Sequence, residues 1–211
     1  ADLQNHRVQI FTDTDEDGQY EYSDKITSNY IEGDPEYGNT TPGQLAKPQG
    51  LVINSTTGKL FVADQYKLEQ FDATTLAWDG TVDFGEGSNY VAPSSLSIDS
   101  AGKLYVSDVD GNHNFVLVYD TSDADDEDVV LLETLGSFGS GQLQFDWPRG
   151  SAINPETGTL TIADGNNGRV ESVTSGNRIL NLIPSANVII RTAEGAESTA
   201  MNAHAGESLS E

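Results

Sequence analysis

Residues 13–24 read DTDEDGQYEYSD, six acids in twelve positions with no base among them. Carboxylates at this density repel one another unless a cation gathers them. Asp13, Asp15 and Asp17 stand at positions 1, 3 and 5 of a twelve-residue loop, and Gly18 at position 6 allows the sharp turn. Gln19 at position 7 offers its backbone carbonyl, Glu21 falls at position 9 and Asp24 at position 12. Calcium takes roughly six to eight hard oxygens in an adaptable shell, and alternating carboxylates on a tight loop supply them. The expected role is a structural Ca2+ site; the competing reading is a solvated acidic connection.

Other chemistry-bearing groups are sparser. The run 120–130 holds six acids but lacks a glycine at its sixth position and any clean alternation, so it reads as a long solvated loop. In SDVDGNHN (107–114), Asp108, Asp110 and Asn112 flank Gly111, and the first duty expected of Asp108 is a turn hydrogen bond. Three histidines and no cysteine leave too few soft ligands for a zinc centre without carboxylates to complete it. No Gly-x-Ser-x-Gly elbow, phosphate-cradling loop or Ser/His/Asp order occurs. No catalytic residue is assigned.

The elements that must position the acidic loop come from a repeat. PQGLVINSTTGKLFVAD (48–64), PSSLSIDSAGKLYVSD (93–108) and PRGSAINPETGTLTIAD (148–164) align almost without gaps. Each opens on Pro, closes on Asp and places a glycine turn between two runs of alternating apolar residues, which is a hairpin pattern. Third strands follow each Asp, and LAWDGTVDF, VVLLETLGSF and NRILNLI supply fourth strands. Four short strands per repeat make a β-propeller blade. The fold class is therefore all-β, a propeller of four-stranded blades with about four blades' worth of chain.

The pattern resembles the NHL-repeat family. Pro48, Gly50, Gly58 and Val62-Ala63-Asp64 carry the likeness, as do Pro148, Gly150, Gly158 and Ile162-Ala163-Asp164, and Asn5-His6-Arg7-Val8. GQLAKPQG (43–50) and GQLQFDWPRG (141–150) match the lead-in. The likeness covers residues 1 to about 193, which form the expected propeller domain of three full repeats with partial blades at both ends. Residues 194–211 are read as a flexible tail. His6 and His113 fall at one repeat position, so both are expected in the blade's own hydrogen bonding. Residue 1 sits mid-blade, and 187–193 is expected to open one further blade, so the chain reads as part of a larger propeller. The alternative is a closed four-blade ring completed by the C-terminal segment. The acidic loop resembles those of EF-hand proteins in its spacing, but no flanking helix is expected and Asp24 stands where that family has Glu. Its strand context is closer to the inter-strand loops of integrin-type propellers.

Charge narrows the partners. Acids outnumber Lys and Arg by 34 to 10, a formal charge of −24. Such a field repels nucleic acids and anionic membranes, and no apolar run is long enough to span a bilayer. The sequons at 39–41 and 54–56, with the calcium-type loop, lean toward an extracellular or cell-surface site. The expected function is a non-enzymatic, secreted, calcium-stabilised propeller whose partner is another protein or the rest of its own chain. The alternative is a metal-dependent hydrolase or lyase, similar to the lactonase or peptide-amidating lyase propellers.

Overall fold

The computed structural model describes residues 1–27, 43–82, 84, 91–109, 113–123, 129–174, 178–182 and 188–191. The sequons' Asn39, the centre of the acidic run at 124–128, residues 110–112 and the 194–211 tail lie outside them.

The chain folds as successive antiparallel meanders. β1 (Arg7–Thr12) and β2 (Glu21–Thr27) form a two-stranded sheet. β3 (Pro48–Asn54), β4 (Lys59–Asp64), β5 (Lys67–Asp72) and β6 (Trp78–Val82) form the next blade, in sequence order. β7 (Pro93–Ile98), β8 (Lys103–Asp108), β9 (Val116–Asp120) and β10 (Val130–Leu135) repeat it. A short parallel pair, β11 (Ser137–Phe138) and β12 (Gln144–Phe145), leads into the last blade. That blade holds β13 (Pro148–Ile153), β14 (Leu160–Asp164), β15 (Arg169–Thr174), β16 (Arg178–Leu182) and β17 (Val188–Arg191). Each expected fourth strand is present as β6, β10 or β16. Residues 188–191 depart from expectation: they extend the same sheet, pairing Leu182 with Val188, instead of opening a new blade. The free edge of β16 offers a row of backbone donors and acceptors that a following extended segment satisfies.

Period-two alternation sends one set of side chains forward and one back, and the blades pack face to face through both. Val8 and Ile26 of β1 and β2 meet Leu60, Val62 and Phe71 of the next blade, with Leu45 between. Phe61, Ala63, Leu68 and Val82 then meet Leu96, Leu104, Val106, Leu117 and Tyr119. Val116 meets Phe145 of β12 and Leu160 and Ile162 of the last blade. Among the described residues the core is thus three repeated inter-blade seams. The first strands β3, β7 and β13 lie side by side at the inner edge, where Ser94 Oγ donates to Pro148 O (3.1 Å) and Ser151 N donates to Ser95 Oγ (2.9 Å). Gly50 is needed there, because a Cβ would sit 2.8 Å from Ser94 O.

The Pro and Asp that bracket each repeat are partners. Pro48 pairs with Asp64, Pro93 with Asp108 and Pro148 with Asp164, each followed by a bulge. The three aspartates are fully buried. Asp64 accepts from the amides of Ala46 (2.8 Å) and Lys47 (2.5 Å), Asp108 from Ala92 (2.8 Å) and Asp164 from Asp146 (2.7 Å). These amides belong to the segments leading into the first strands, sixteen to eighteen residues upstream. Each aspartate therefore ties the end of a second strand to the start of the first, rather than closing a local turn.

Candidate functional site

The acidic loop is the connection between β1 and β2. Thr12 pairs with Glu21, so residues 13–20 form the turn itself. One carboxylate oxygen each from Asp13, Asp15 and Asp17 lies within 4.8 Å of the others. Glu16 (φ 60°) and Gly18 (φ 83°) take left-handed conformations, which fold the alternating carboxylates to one side. Gly18 N donates to Asp13 Oδ2 (3.0 Å), and Gln19 donates to Asp17 through both N (2.7 Å) and Nε2 (2.9 Å). Asp13 Oδ1 is buried and has no hydrogen-bond partner among the described residues. The donor set is all hard oxygen, and the orphaned Asp13 oxygen needs a cation or a donor. These three residues fit a calcium ion.

Two expected ligands stand elsewhere. Glu21 and Asp24 are on β2, opposite Thr12 and Ile10, and neither joins the carboxylate group. Asp24 Oδ1 accepts from Lys25 N (2.7 Å). The reason is register. A strand advances about 3.3 Å per residue, so starting β2 at Glu21 carries Asp24 away from the turn. Gln19 remains beside the group, its side chain tied to Asp17.

The second acidic run behaves as a loop where it is described: Asp120 caps it by accepting from Ser122 N (3.0 Å) and Oγ (2.7 Å), which holds its carboxyl below the usual range. Asn54, in the second sequon, is 3% exposed and donates to Thr121 O (2.8 Å) and Oγ1 (3.1 Å), so it is unavailable to a glycan in the folded chain.

At the opposite end of the blades, the aspartates of this repeat position, buried at 64 and 164 and part-exposed at 2, meet cations. Arg7 Nε lies 2.9 Å from Asp2, Arg169 Nε 2.9 Å from Asp164, and Lys67 Nζ 4.0 Å from Asp64. In the third case of the repeat, Phe115 takes the strand position of these cations, and His113 stacks on it (5.4 Å) with Nδ1 3.8 Å from Asp108. The strand register thus sets His113 one residue off from His6, correcting their expected equivalence; the inserted loop is longer there. His6 Nδ1 does hydrogen-bond the main chain, at Ala46 O.

Two buried glutamates follow these cations at one repeat position, a feature the sequence reading missed although strand alternation places both inward. Glu69 is fully buried and accepts from Lys67 (2.5 Å), Trp78 Nε1 (2.8 Å), Thr81 Oγ1 (2.7 Å) and Gly43 N (3.2 Å). Glu171 is equally buried, with Arg169 Nη2 2.9 Å away, but Arg169 also donates to the carbonyls of Ser140, Gly141 and Gln144. Burial pushes the Glu171 carboxyl up to about 7 against the opposing pull of Arg169, and Asp164 adds to the rise. Asp64 is also raised by burial, against its two amide donors.

The same end carries an exposed aromatic. Trp147, 40% exposed, is held at φ 61°, a left-handed conformation that a bulky residue adopts only under constraint. Asn114 Oδ1 accepts from its amide (2.8 Å), and Gly165 N donates to its carbonyl (3.0 Å). The Arg149 guanidinium lies 4.0 Å over the indole. Backbone strain of this kind costs roughly 1–3 kcal/mol, whereas an exposed cation–π contact returns roughly 0.5–1 kcal/mol. Only the left-handed turn, invisible to pattern reading, makes this pair notable.

No protein-family model and no curated protein matches the chain. Among solved structures, streptogramin B lyase aligns over 90% of this chain and 63% of its own, with a TM-score of 0.52 and 8% identity. Hydrazine synthase of Kuenenia stuttgartiensis aligns over 70% of this chain and 36% of its own, at 0.47 and 21% identity. A chain of a mitotic checkpoint complex aligns over 62% and 38%, at 0.48 and 14%. The chain spans less than two thirds of the length of each. The lyase and the synthase are β-propeller proteins, and the lyase likeness supports the propeller fold alone. This is an all-β propeller-type chain.

Proposed function

We propose that the chain is the NHL-type part of a calcium-stabilised propeller that works outside the cell as a non-enzymatic binding or assembly module. Residues 1–193 are its blades and 194–211 its tail. The observation that carries this reading is the grouping of the Asp13, Asp15 and Asp17 carboxylates, with a buried Asp13 oxygen that has no partner among the described residues. A divalent ion there would replace mutual repulsion with attraction and fix the β1–β2 connection. The loop lies at the end of the blades opposite the buried aspartates, so the ion's part is structural. Calcium at extracellular levels suits a modest site built on three carboxylates. The −24 charge fits a cation-rich setting. Isothermal calorimetry of the intact chain should show uptake of one calcium ion, lost in the D15N/D17N variant while far-UV circular dichroism stays unchanged. Absence of calcium uptake at millimolar concentration would overturn the reading.

A further inference from the structure

The geometry points to a second, separate site: Trp147 and Arg149 form a receptor for a small ligand that carries one carboxylate on a flat or apolar body. Three observations converge on it. Trp147 is exposed yet locked in a strained turn by Asn114 and by Gly165, where a Cβ would sit 2.9 Å from the Trp147 carbonyl. A structure that spends backbone strain to hold an aromatic ring in solvent is displaying it. Next, the Arg149 guanidinium carbon lies over that ring, 4.0 Å from its centroid, and among the described residues it forms no ion pair, in a chain with 34 acids and 10 bases. The other described arginine side chains, Arg7 and Arg169, are both paired with carboxylates, whereas Arg149 keeps its planar donor fork open. Last, the pair opens the innermost strand β13 beside β7, whose Ser94 donates to Pro148 between them. It therefore sits at the inner edge of the blades, and not on a peripheral loop.

The ligand class follows from these groups. A guanidinium held over a ring by a cation–π contact still carries N–H groups that match a carboxylate in two parallel hydrogen bonds. The exposed part of the indole takes a ring or other flat apolar body. A polyanion is disfavoured, because the chain's −24 field and nearby Asp146 oppose every charge beyond the one Arg149 neutralises. The site is independent of the calcium loop, so either can fail alone.

The test uses benzoate and its neutral isostere benzamide on the full chain, followed by tryptophan fluorescence and calorimetry. Benzoate should bind saturably with Kd on the order of 1 mM and perturb the fluorescence, and the perturbation should vanish in W147L. R149Q should weaken benzoate at least roughly tenfold, and benzamide should bind the wild type about as poorly as benzoate binds R149Q. R149K, which keeps the charge but not the fork, should fall between. Arg149 is exposed, so unchanged melting of these variants is expected and separates lost binding from lost folding. Equal binding of benzoate and benzamide, benzoate affinity indifferent to R149Q, or no saturable benzoate signal at roughly tens of millimolar overturns the proposal.

Discussion

Replacing Glu171 with Gln should make the protein more stable above neutral pH, not less. The buried carboxyl titrates at about 7 in the folded chain against an ordinary value of 4.5. The folded state therefore holds the proton more tightly than the unfolded state. Its favourable contribution is complete below about pH 4.5 and is lost as pH rises through about 7. At about 1.4 kcal/mol per unit, the ionised Glu171 lowers stability at pH 8 by on the order of 3 kcal/mol relative to pH 4. Gln keeps the shape and a hydrogen-bonding head for the strand pair but never ionises. Urea unfolding at constant 0.15 M ionic strength, at pH 5 and pH 8, reads the effect directly. The wild type and E171Q should differ little at pH 5, and E171Q should be the more stable at pH 8 by roughly 1–3 kcal/mol. Asp2, Asp72, Asp79 and Asp120 are held below their ordinary value by hydrogen bonds, so their contribution is lost only below about pH 4, outside this window. Asp64 is raised in the same direction as Glu171 but is present in both proteins, so it cancels in the comparison. Equal destabilisation of E171Q at both pH values would refute the reasoning, since it would mean that the Arg169 ion pair outweighs burial.

The inter-blade seams should dominate stability. Phe61, 1% exposed, lies in the seam between the β3–β6 and β7–β10 blades, and Phe61→Ala should cost roughly 3–5 kcal/mol in urea unfolding; a loss below about 1 kcal/mol would show the seam to be loosely packed. Asn54→Ala should cost roughly 1–3 kcal/mol by stranding the buried Thr121 carbonyl, and mass spectrometry of the chain made in a glycosylating host should find Asn54 bare; a glycan there would mean that the chain is modified before this contact forms.

Sequence alone determined the strand content and the blade unit, because alternation and glycine turns are local signals. It identified the Pro and Asp that bracket each repeat, and the three aspartates that share a turn. It did not decide who meets whom. The pairing of Thr12 with Glu21 is a matter of register, and that pairing removed Glu21 and Asp24 from the acidic turn. The bond from Asn54 to Thr121 spans 67 residues, and it turned a glycosylation motif into a core contact. Residues 188–191 carry a strand pattern that fits two places, and the free edge of β16 chose between them. Glu69 and Glu171 occupy the same repeat position, yet one is met by four donors while the other shares its arginine with three carbonyls. A pattern of alternating residues specifies which face of a strand is buried; the neighbours on that face, and with them the charge state of a buried acid, exist only once the blades have packed.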